Sequence, residues 1–159
     1  MNYIIKTFVI GIGATITVDI WIYFLGLFNI KSLDYRFVGR WIGNFPKGKF
    51  LHKNIMQTET VKGELFIGWL AHYLIGINFA VLISLLYGKE WIDNPDIYSA
   101  VLFGIITVVA PLFIMQPAFG FGIASSNLPK PNIRRLKSMF THLIYGIGIY
   151  ITAILIKQF

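Results

Sequence analysis

The chain has 159 residues and a formal net charge of +7, with 56% hydrophobic side chains and only 13% charged ones. A soluble domain has about 25% charged residues because its surface must be hydrated, so this composition excludes an ordinary water-soluble globule and indicates that lipid covers much of the surface. The absence of cysteine from the sequence also excludes disulfides and thiolate metal sites.

The first predicted element is a membrane-spanning helix from about Thr7 to Phe28. Its length is close to the roughly 20 residues that cross ~30 Å of hydrocarbon as a helix. Lys6 precedes it, as a positive charge precedes the apolar core of a signal peptide. However, the apolar run is too long, contains Asp19 and lacks a small-x-small cleavage site. We therefore expect this helix to be retained in the protein.

The first connection is basic and is predicted to contain a short interfacial helix. Apolar residues recur in it at four-residue intervals, with arginines on another face: Leu33, Phe37 and Trp41 beside Arg36 and Arg40. An apolar stripe beside basic side chains suits a segment that lies at the headgroup boundary. We expect the proline and the glycine of the phrase NFPKGKF, residues 44–50, to end this helix.

The second predicted span runs from about Leu65 to Tyr87 and presents small residues around one imidazole. Residues four apart share a helix face, and small residues on such a face allow helix backbones to approach closely. The face consists of Gly68, His72, Gly76, Ala80 and Ser84. The corresponding faces of the first and fourth spans are Gly11, Thr15, Asp19 and Tyr23, and Ser138, His142, Gly146 and Tyr150. We expect these three faces to look at one another.

The third span is predicted from about Ile97 to Met115 and the fourth from about Ser138 to Ile156. Pro111 lies inside the third helix and leaves the carbonyl of Thr107 without its usual partner. The connection that follows begins at Gln116 and is rich in proline and glycine. We expect it to form an irregular turn.

A repeated basic phrase indicates an internal duplication. The second connection contains NLPKPNI, residues 127–133, which resembles NFPKGKF in the first. Each phrase follows a glycine by the same interval and precedes a span whose histidine has small residues four positions away on both sides. The simplest account is a tandem pair of helical hairpins in the same direction, about residues 1–90 and 91–159. The predicted fold class is therefore all-α, a single polytopic membrane domain with four transmembrane helices in two parallel-repeat hairpins.

Charge predicts the orientation of these helices. Basic residues are concentrated in the two connections on one side: Lys31, Arg36, Arg40, Lys47, Lys49, Lys53 and Lys62 in the first, and Lys130, Arg134, Arg135 and Lys137 in the second. The basic residues of the opposite side are few and lie beside acidic ones. Positive-inside counting places both basic loops in the cytoplasm and both termini outside.

Three ionisable side chains within the predicted spans form the candidate functional site. Counted from the span ends at 1.5 Å per residue, Asp19 and His72 lie ~14 Å deep and His142 only ~7 Å deep. An ionised aspartate alone in the bilayer costs at least ~2.5–3.5 kcal/mol on insertion scales. We therefore expect Asp19 to be protonated or paired with His72. Thr15 and Gln116 complete the predicted substrate or proton site.

These polar groups also have a plainer interpretation, as hydrogen bonds that hold helices together. Such bonds average only ~0.6 kcal/mol in membranes and compensate weakly for a buried carboxyl. The unequal depths of His72 and His142 do not favour bis-histidine haem ligation. No GxSxG, Walker or HExxH motif is present in the sequence, so no catalytic residue, metal or cofactor is predicted.

The basic loops are predicted to contact anions through Arg36, Arg40, Lys47, Lys49, Lys130, Arg134 and Arg135. They either enforce topology by touching anionic lipid headgroups or form a paired anion site at the mouth of the bundle. Nucleic-acid binding is not indicated, because no soluble basic domain is available to carry it. Helix packing is assigned to Gly11, Gly68, Gly76 and Gly146.

Five phrases carry a resemblance to a known family: GIGATITVDIW, LDYRFVGRWIG, GWLAHYLIG, APLFIMQPAFGFGIASSNLPKPN and THLIYGIGIY. Over nearly the entire chain the sequence resembles DUF2938, a bacterial family of small inner-membrane proteins of unknown function. The resemblance implies four helices in the inner membrane and adds no known activity, while the charge count places both termini on the periplasmic or extracellular side. The family signature covers Gly11, Gly13, Asp19, Arg40, Trp41, His72, Gln116, Pro117, Pro129 and His142 of this sequence.

Three functions are compatible with these features. The first is a small transporter or permease-like protein in which Asp19 and His72 titrate or contact the solute, with a homodimer expected because four helices make a thin wall. The second is a non-catalytic accessory or assembly subunit that docks its small-residue faces on a larger membrane complex. The third is a lipid-modifying membrane enzyme with His142 and the basic loop at the headgroup level.

Overall fold

The computed structural model describes residues 2–159, and all regular secondary structure in that range is helical. This confirms the all-α prediction. The helices are α1 (Tyr3–Leu27), α2 (Tyr35–Gly43), α3 (Glu64–Asp93), α4 (Ile97–Thr107), α5 (Gln116–Ala118) and α6 (Pro131–Ile156). A π-helical segment, Pro111–Met115, lies between α4 and α5, and short 3₁₀ turns occur at Phe45–Lys47, Ile55–Gln57 and Ile123–Ser125.

Four helical stretches are long and apolar enough to cross a membrane, as predicted: Tyr3–Leu27, Glu64–Asp93, Ile97–Ala118 and Pro131–Ile156. Two boundaries differ most from the predicted ones. The helical run of α3 continues past Tyr87, although Gly88 has a non-helical φ of 74° at that point. The fourth helix begins at Pro131 rather than at Ser138, because proline fits the first position of a helix, where no N–H is needed.

Local side-chain chemistry sets the helix starts. The carboxylates and amides that precede three helices accept hydrogen bonds from backbone N–H groups of the first turn. The pairs are Asn2 with Ile4 at 3.1 Å, Asp34 with Arg36 at 2.9 Å, and Asp96 with Ser99 at 2.9 Å. The hydroxyl of Ser99 also bonds the carboxylate and lowers the pKa of Asp96. These caps mark the starts of α1, α2 and α4.

The short helix predicted in the first connection exists, but it ends earlier than expected. Leu33 precedes α2, and α2 ends at Gly43, before Pro46 and Gly48 are reached. The buried side chain of Asn44 ends it by donating to the carbonyl of Arg40 at 2.8 Å. Proline and glycine instead shape the 3₁₀ turn that follows, where Gly48 has φ 68°.

Pro111 has the predicted effect on the third span. It lacks the N–H that would bond the carbonyl of Thr107, and the helix is irregular at Val108 before it widens into π-helical geometry from Pro111 to Met115. Single π-helical turns inside α-helices arise where the regular i→i−4 ladder is interrupted. The helix then resumes as α5 and ends at Ala118.

The chain divides into two compact units, and neither is continuous in sequence. The first unit contains Met1–Lys31, Tyr73–Thr107 and Met139–Phe159. Its core includes Ile10, Ala14, Ile83, Ala100 and Ile149, each at most 1% exposed. The second unit contains Ser32–His72 and Val108–Ser138, and its core is formed by Val38, Ile55, Ala71, Phe119 and Phe121. Each unit thus takes segments from both of the predicted sequence halves.

Within the second unit, α2 packs closely on the beginning of α3. A Cβ added to Gly39 would lie 1.7 Å from the carbonyl oxygen of Glu64, and one added to Gly68 would lie 1.9 Å from the carbonyl oxygen of Tyr35. Only glycine at both positions allows the two backbones to approach this closely. The buried side of α2 therefore centres on Val38 and Gly39. The prediction had placed the apolar stripe one residue earlier, at Phe37.

The two repeated phrases adopt different conformations. NFPKGKF closes α2 and forms a 3₁₀ turn, whereas NLPKPNI leads from an irregular loop into α6. Asn44 is buried, whereas Asn127 is exposed. The positive φ falls at the fifth position of the first phrase, Gly48, and at the fourth of the second, Lys130. The phrases share letters but not a local structure, so they add no support for a tandem pair of hairpins.

Candidate functional site

Asp19 lies on α1 and accepts a hydrogen bond within the first unit. The hydroxyl of Tyr73, on α3, donates to Oδ2 of Asp19 at 2.8 Å. Both side chains are half-buried. A carboxylate inside an apolar helix is costly unless its oxygens are bonded, and Tyr73 supplies a neutral donor to one of them. Sequence reasoning missed Tyr73, although a tyrosine beside a histidine within a span was visible.

Thr15 lies one turn before Asp19 at a close crossing of α1 and α3. Its hydroxyl donates to the carbonyl of Gly11 at 2.8 Å, and the side chain is 1% exposed. A Cβ at Gly76 would lie 2.0 Å from that hydroxyl, and one at Gly11 would lie 2.6 Å from the Cα of Ile77. The predicted polar face of α1 stops at Asp19, because Tyr23 is 72% exposed.

His142 lies on α6 and pairs with Thr107 on α4. Its Nδ1 is 2.7 Å from the Thr107 hydroxyl, which donates to the carbonyl of Gly104 at 2.5 Å. Gly146 faces α4 as well, since its added Cβ would lie 2.6 Å from the carbonyl oxygen of Ala100. The face of α6 that contains His142 and Gly146 therefore contacts α4.

Tyr145, which the prediction did not name, makes a hydrogen bond between α6 and α3. Its hydroxyl donates to the carbonyl of Gly76 at 2.6 Å, and the side chain is 6% exposed. The prediction missed it because a spacing of four residues selects His142 and Gly146 and skips the adjacent position. A phenol bonded to the backbone of a neighbouring helix satisfies its polar atom inside an apolar core.

His72 lies in the second unit and belongs to an aromatic cluster. Its Nε2 is 3.0 Å from the hydroxyl of Tyr35, and the two rings stack with centroids 4.3 Å apart. Trp69 packs at 5.8 Å from the same imidazole. The expected pairing of Asp19 with His72 stays a prediction.

Gln116 shapes the second connection. Its Oε1 accepts from the Ser125 hydroxyl at 2.9 Å, and its carbonyl accepts from the N–H of Phe121 at 2.9 Å. Ser125 is 2% exposed and has φ 62°. These bonds hold the irregular turn that the proline and glycine content predicted, and they place Gln116 in the second unit.

Arg40 is buried in an ion pair that the sequence did not reveal. Its Nε and one terminal nitrogen donate to the two carboxylate oxygens of Glu64, each at 2.9 Å, and the other terminal nitrogen donates to the carbonyls of Ile55 and Thr58, each at 3.0 Å. The bonds to Glu64 raise the pKa of Arg40. Arg40 is 6% exposed, and its guanidinium bonds acceptors inside the protein. This corrects the expectation that it contacts an external anion.

The other predicted anion contacts lie at the surface of the second unit. Lys47, Lys49 and Lys130 are exposed. Arg36 lies 3.9 Å from Asp34, while Arg134 and Arg135 donate to backbone carbonyls at 3.0 and 2.8 Å. The first unit is formally neutral, since Lys6, Lys31, Lys89 and Lys157 are matched by Asp19, Glu90, Asp93 and Asp96. The formal charge of +7 therefore belongs entirely to the second unit.

Comparison with known proteins gives a match to a protein family. The model of a family described as "Protein of unknown function (DUF2938)" matches residues 8–156. No curated protein and no solved structure matches the chain. Residues 2–159 contain no group of three or more His, Cys, Asp or Glu side chains that could hold a metal ion.

Proposed function

The chain belongs to the DUF2938 family of proteins of unknown function, and from its geometry we propose that it is a multi-pass membrane protein that moves a proton or a small solute past Asp19. The observation that carries this proposal is the hydrogen bond from Tyr73 to a carboxylate in the interior of an apolar helix. Ionisable groups at such positions are rare and mark ion or substrate pathways.

Membrane embedding is supported by the surface of the four long helices. Large apolar side chains are exposed along them, among them Ile20 at 64%, Phe66 at 72%, Leu85 at 72% and Leu155 at 62%. In water these side chains would form an extensive apolar surface, which soluble monomers avoid. We propose that they face the acyl chains of the bacterial inner membrane, with both basic connections in the cytoplasm and both termini outside.

Transport rather than docking is proposed because the small residues are already used inside the chain. The accessory-subunit hypothesis requires glycine faces that are free to receive another protein. Gly11 and Gly76 pack at the crossing of α1 and α3, and Gly104 and Gly146 pack at that of α4 and α6. Since a single bundle of four helices forms a thin wall around a pathway, the proposal includes a homodimer.

Replacement of Asp19 by asparagine tests this function. Asn keeps the size and the acceptor oxygen for Tyr73 but cannot release a proton or attract a cation. In proteoliposomes that contain a pH-sensitive dye, we expect proton flux under a potassium diffusion potential to be lost in Asp19→Asn. Asp34→Asn makes the same chemical change at an exposed helix cap and should keep the flux. Equal flux in wild type and Asp19→Asn, with Asp34→Asn also unchanged, would rule out the carboxylate as the carrier site.

A further inference from the structure

We propose that the connection between α2 and α3 is a membrane-surface anchor that binds the phosphate headgroups of anionic lipid. The anchor segment is residues 47–53, in which Lys47, Lys49 and Lys53 surround Phe50 and Leu51. This inference rests on the proposed membrane embedding but is independent of transport by Asp19.

The anchor segment combines exposed apolar side chains with exposed positive charge. Phe50 is 55% exposed and Leu51 is 78% exposed, and all three lysines are exposed. Trp41 and Phe45 extend the apolar surface, with ring centroids 5.0 Å apart, and Phe45 contacts Phe50 at 5.1 Å. Aromatic and basic side chains together are the composition of segments that lie at the boundary between headgroups and acyl chains.

The exposed pair is held in place by backbone hydrogen bonds on both sides. The indole N–H of Trp41 donates to the carbonyl of Phe50 at 2.7 Å, and the N–H of His52 donates to the carbonyl of Ala118 at 2.8 Å. Fixed at these two points, Phe50 and Leu51 point outward in the folded protein. A side chain presented in a fixed position loses less conformational freedom when it binds.

The bond of His52 to Ala118 and the bonds of Arg40 place the anchor segment near the ends of two candidate spans. Ala118 is the last residue of the third span, and Glu64 is the first residue of the second. Arg40 bonds Glu64 and the carbonyls of Ile55 and Thr58, which follow the anchor segment. A segment tied to the ends of membrane-crossing helices lies at the depth of the headgroups.

The positive charge of the second unit favours anionic lipid as the binding partner of the anchor segment. The second unit holds the whole formal charge of +7, and Arg40 is already paired with Glu64. The lysines of the anchor segment supply three of these positive charges, and phosphates of an anionic leaflet are favourable partners for each lysine near the membrane surface. The α2 helix, which the sequence suggested as the interfacial element, instead packs its Gly39 against α3.

Spin-label depth measurements test this proposal directly, because the chain has no cysteine of its own. A nitroxide attached to Leu51→Cys is expected ~5–10 Å below the phosphates in vesicles of phosphatidylcholine and phosphatidylglycerol, and at a shallower depth in vesicles of phosphatidylcholine alone. A label at Glu59→Cys, exposed in the same connection, should stay in water in both. A Leu51 label in water in both lipids, or inserted equally in both, overturns the proposal.

A third label separates this proposal from membrane embedding. Tyr23 is 72% exposed on α1, so a label at Tyr23→Cys should report hydrocarbon in both lipids. If it does while the Leu51 label stays in water, the anchor is wrong and embedding stands. If the Tyr23 label is in water, embedding itself fails.

Removal of the lysine charges of the anchor segment is a second experiment on the same proposal. We expect Lys47→Gln with Lys49→Gln to reduce the preference for phosphatidylglycerol among retained lipids, measured by native mass spectrometry, roughly fivefold for each lysine. Lys89→Gln with Lys157→Gln removes the same charge from the neutral first unit and should leave the preference unchanged. Equal losses in the two double variants would contradict a site at the anchor segment.

Discussion

At the scale of single residues, the polar side chains inside the long helices are bonded to specific neighbours. Asp19 receives the hydroxyl of Tyr73, His142 bonds Thr107, and Tyr145 bonds the carbonyl of Gly76. In an apolar solvent each such bond prevents an unsatisfied polar atom, which costs more than the bond itself contributes. Tyr73 differs from the others because the side chain to which it donates is a carboxyl group.

Replacement of Tyr73 by phenylalanine should therefore reduce stability. The change removes only the hydroxyl that donates to Asp19, and we expect a loss of about 0.6–1.7 kcal/mol, between the mean and the maximum measured for hydrogen bonds between membrane helices. Reversible unfolding in mixed micelles, followed by circular dichroism, measures it. Tyr98→Phe is the matched control, since Tyr98 is 85% exposed and should change the free energy of unfolding little. Equal effects of the two variants would argue against a stabilising bond to Asp19.

At the scale of elements, glycine determines how closely the helices approach. The crossing of α1 and α3 has no room for a side chain at Gly11, and the crossing of α4 and α6 has none at Gly104, whose added Cβ would lie 2.6 Å from the Cα of Gly146. Backbone contacts of this kind replace the hydrophobic driving force that is absent between helices in lipid. Helix packing here depends on the absence of side chains more than on their fit.

Two alanine substitutions on the same helix separate packing from helix propensity. Gly11→Ala places a Cβ 2.6 Å from the Cα of Ile77, and the required backbone shift should destabilise the protein by about 1–3 kcal/mol. A Cβ at Gly26 meets nothing within 4 Å, so Gly26→Ala should be neutral or stabilising by up to about 1 kcal/mol, because alanine favours the helix. Thermal unfolding in detergent compares them, and a Gly11→Ala variant as stable as Gly26→Ala would contradict the close packing.

At the scale of the whole molecule, charge is distributed unevenly. The first unit is formally neutral and the second has the entire excess of +7. The buried pair of Arg40 and Glu64 connects α2, α3 and the loop between them within the second unit. Positive-inside insertion acts on such an asymmetry, because basic residues remain on the cytoplasmic side.

Membrane topology is the prediction at this scale. Single cysteines introduced as Lys49→Cys and Lys89→Cys should react with an impermeant maleimide from opposite sides of the inner membrane. In intact spheroplasts we expect the reagent to label position 89 and to label position 49 only after lysis. Both positions are exposed, so a lack of access in the folded protein would not explain a difference. Labelling of both from the outside would contradict the proposed orientation.

Much of the fold could be predicted because hydropathy and helix periodicity are local properties of a chain. Four apolar stretches, the short helix α2, the irregular second connection and the disturbance at Pro111 all follow from composition and from proline and glycine chemistry. Helix ends were less predictable. Gly43 ends α2 because Asn44 can bond Arg40, and α6 begins at Pro131 because that position needs no N–H.

The partners of the polar groups could not be read from the sequence. A spacing of four residues identified Asp19, Thr15 and His142 as polar groups within helices, but the partner of each depends on how the helices rotate and cross, which neighbouring residues along one helix do not determine. Tyr73, Thr107 and Tyr145 therefore appeared only in the tertiary structure. The same holds for Arg40. Its charge was evident and suggested lipid, but Glu64 lies 24 positions away, and only folding brings a carboxylate to the buried guanidinium.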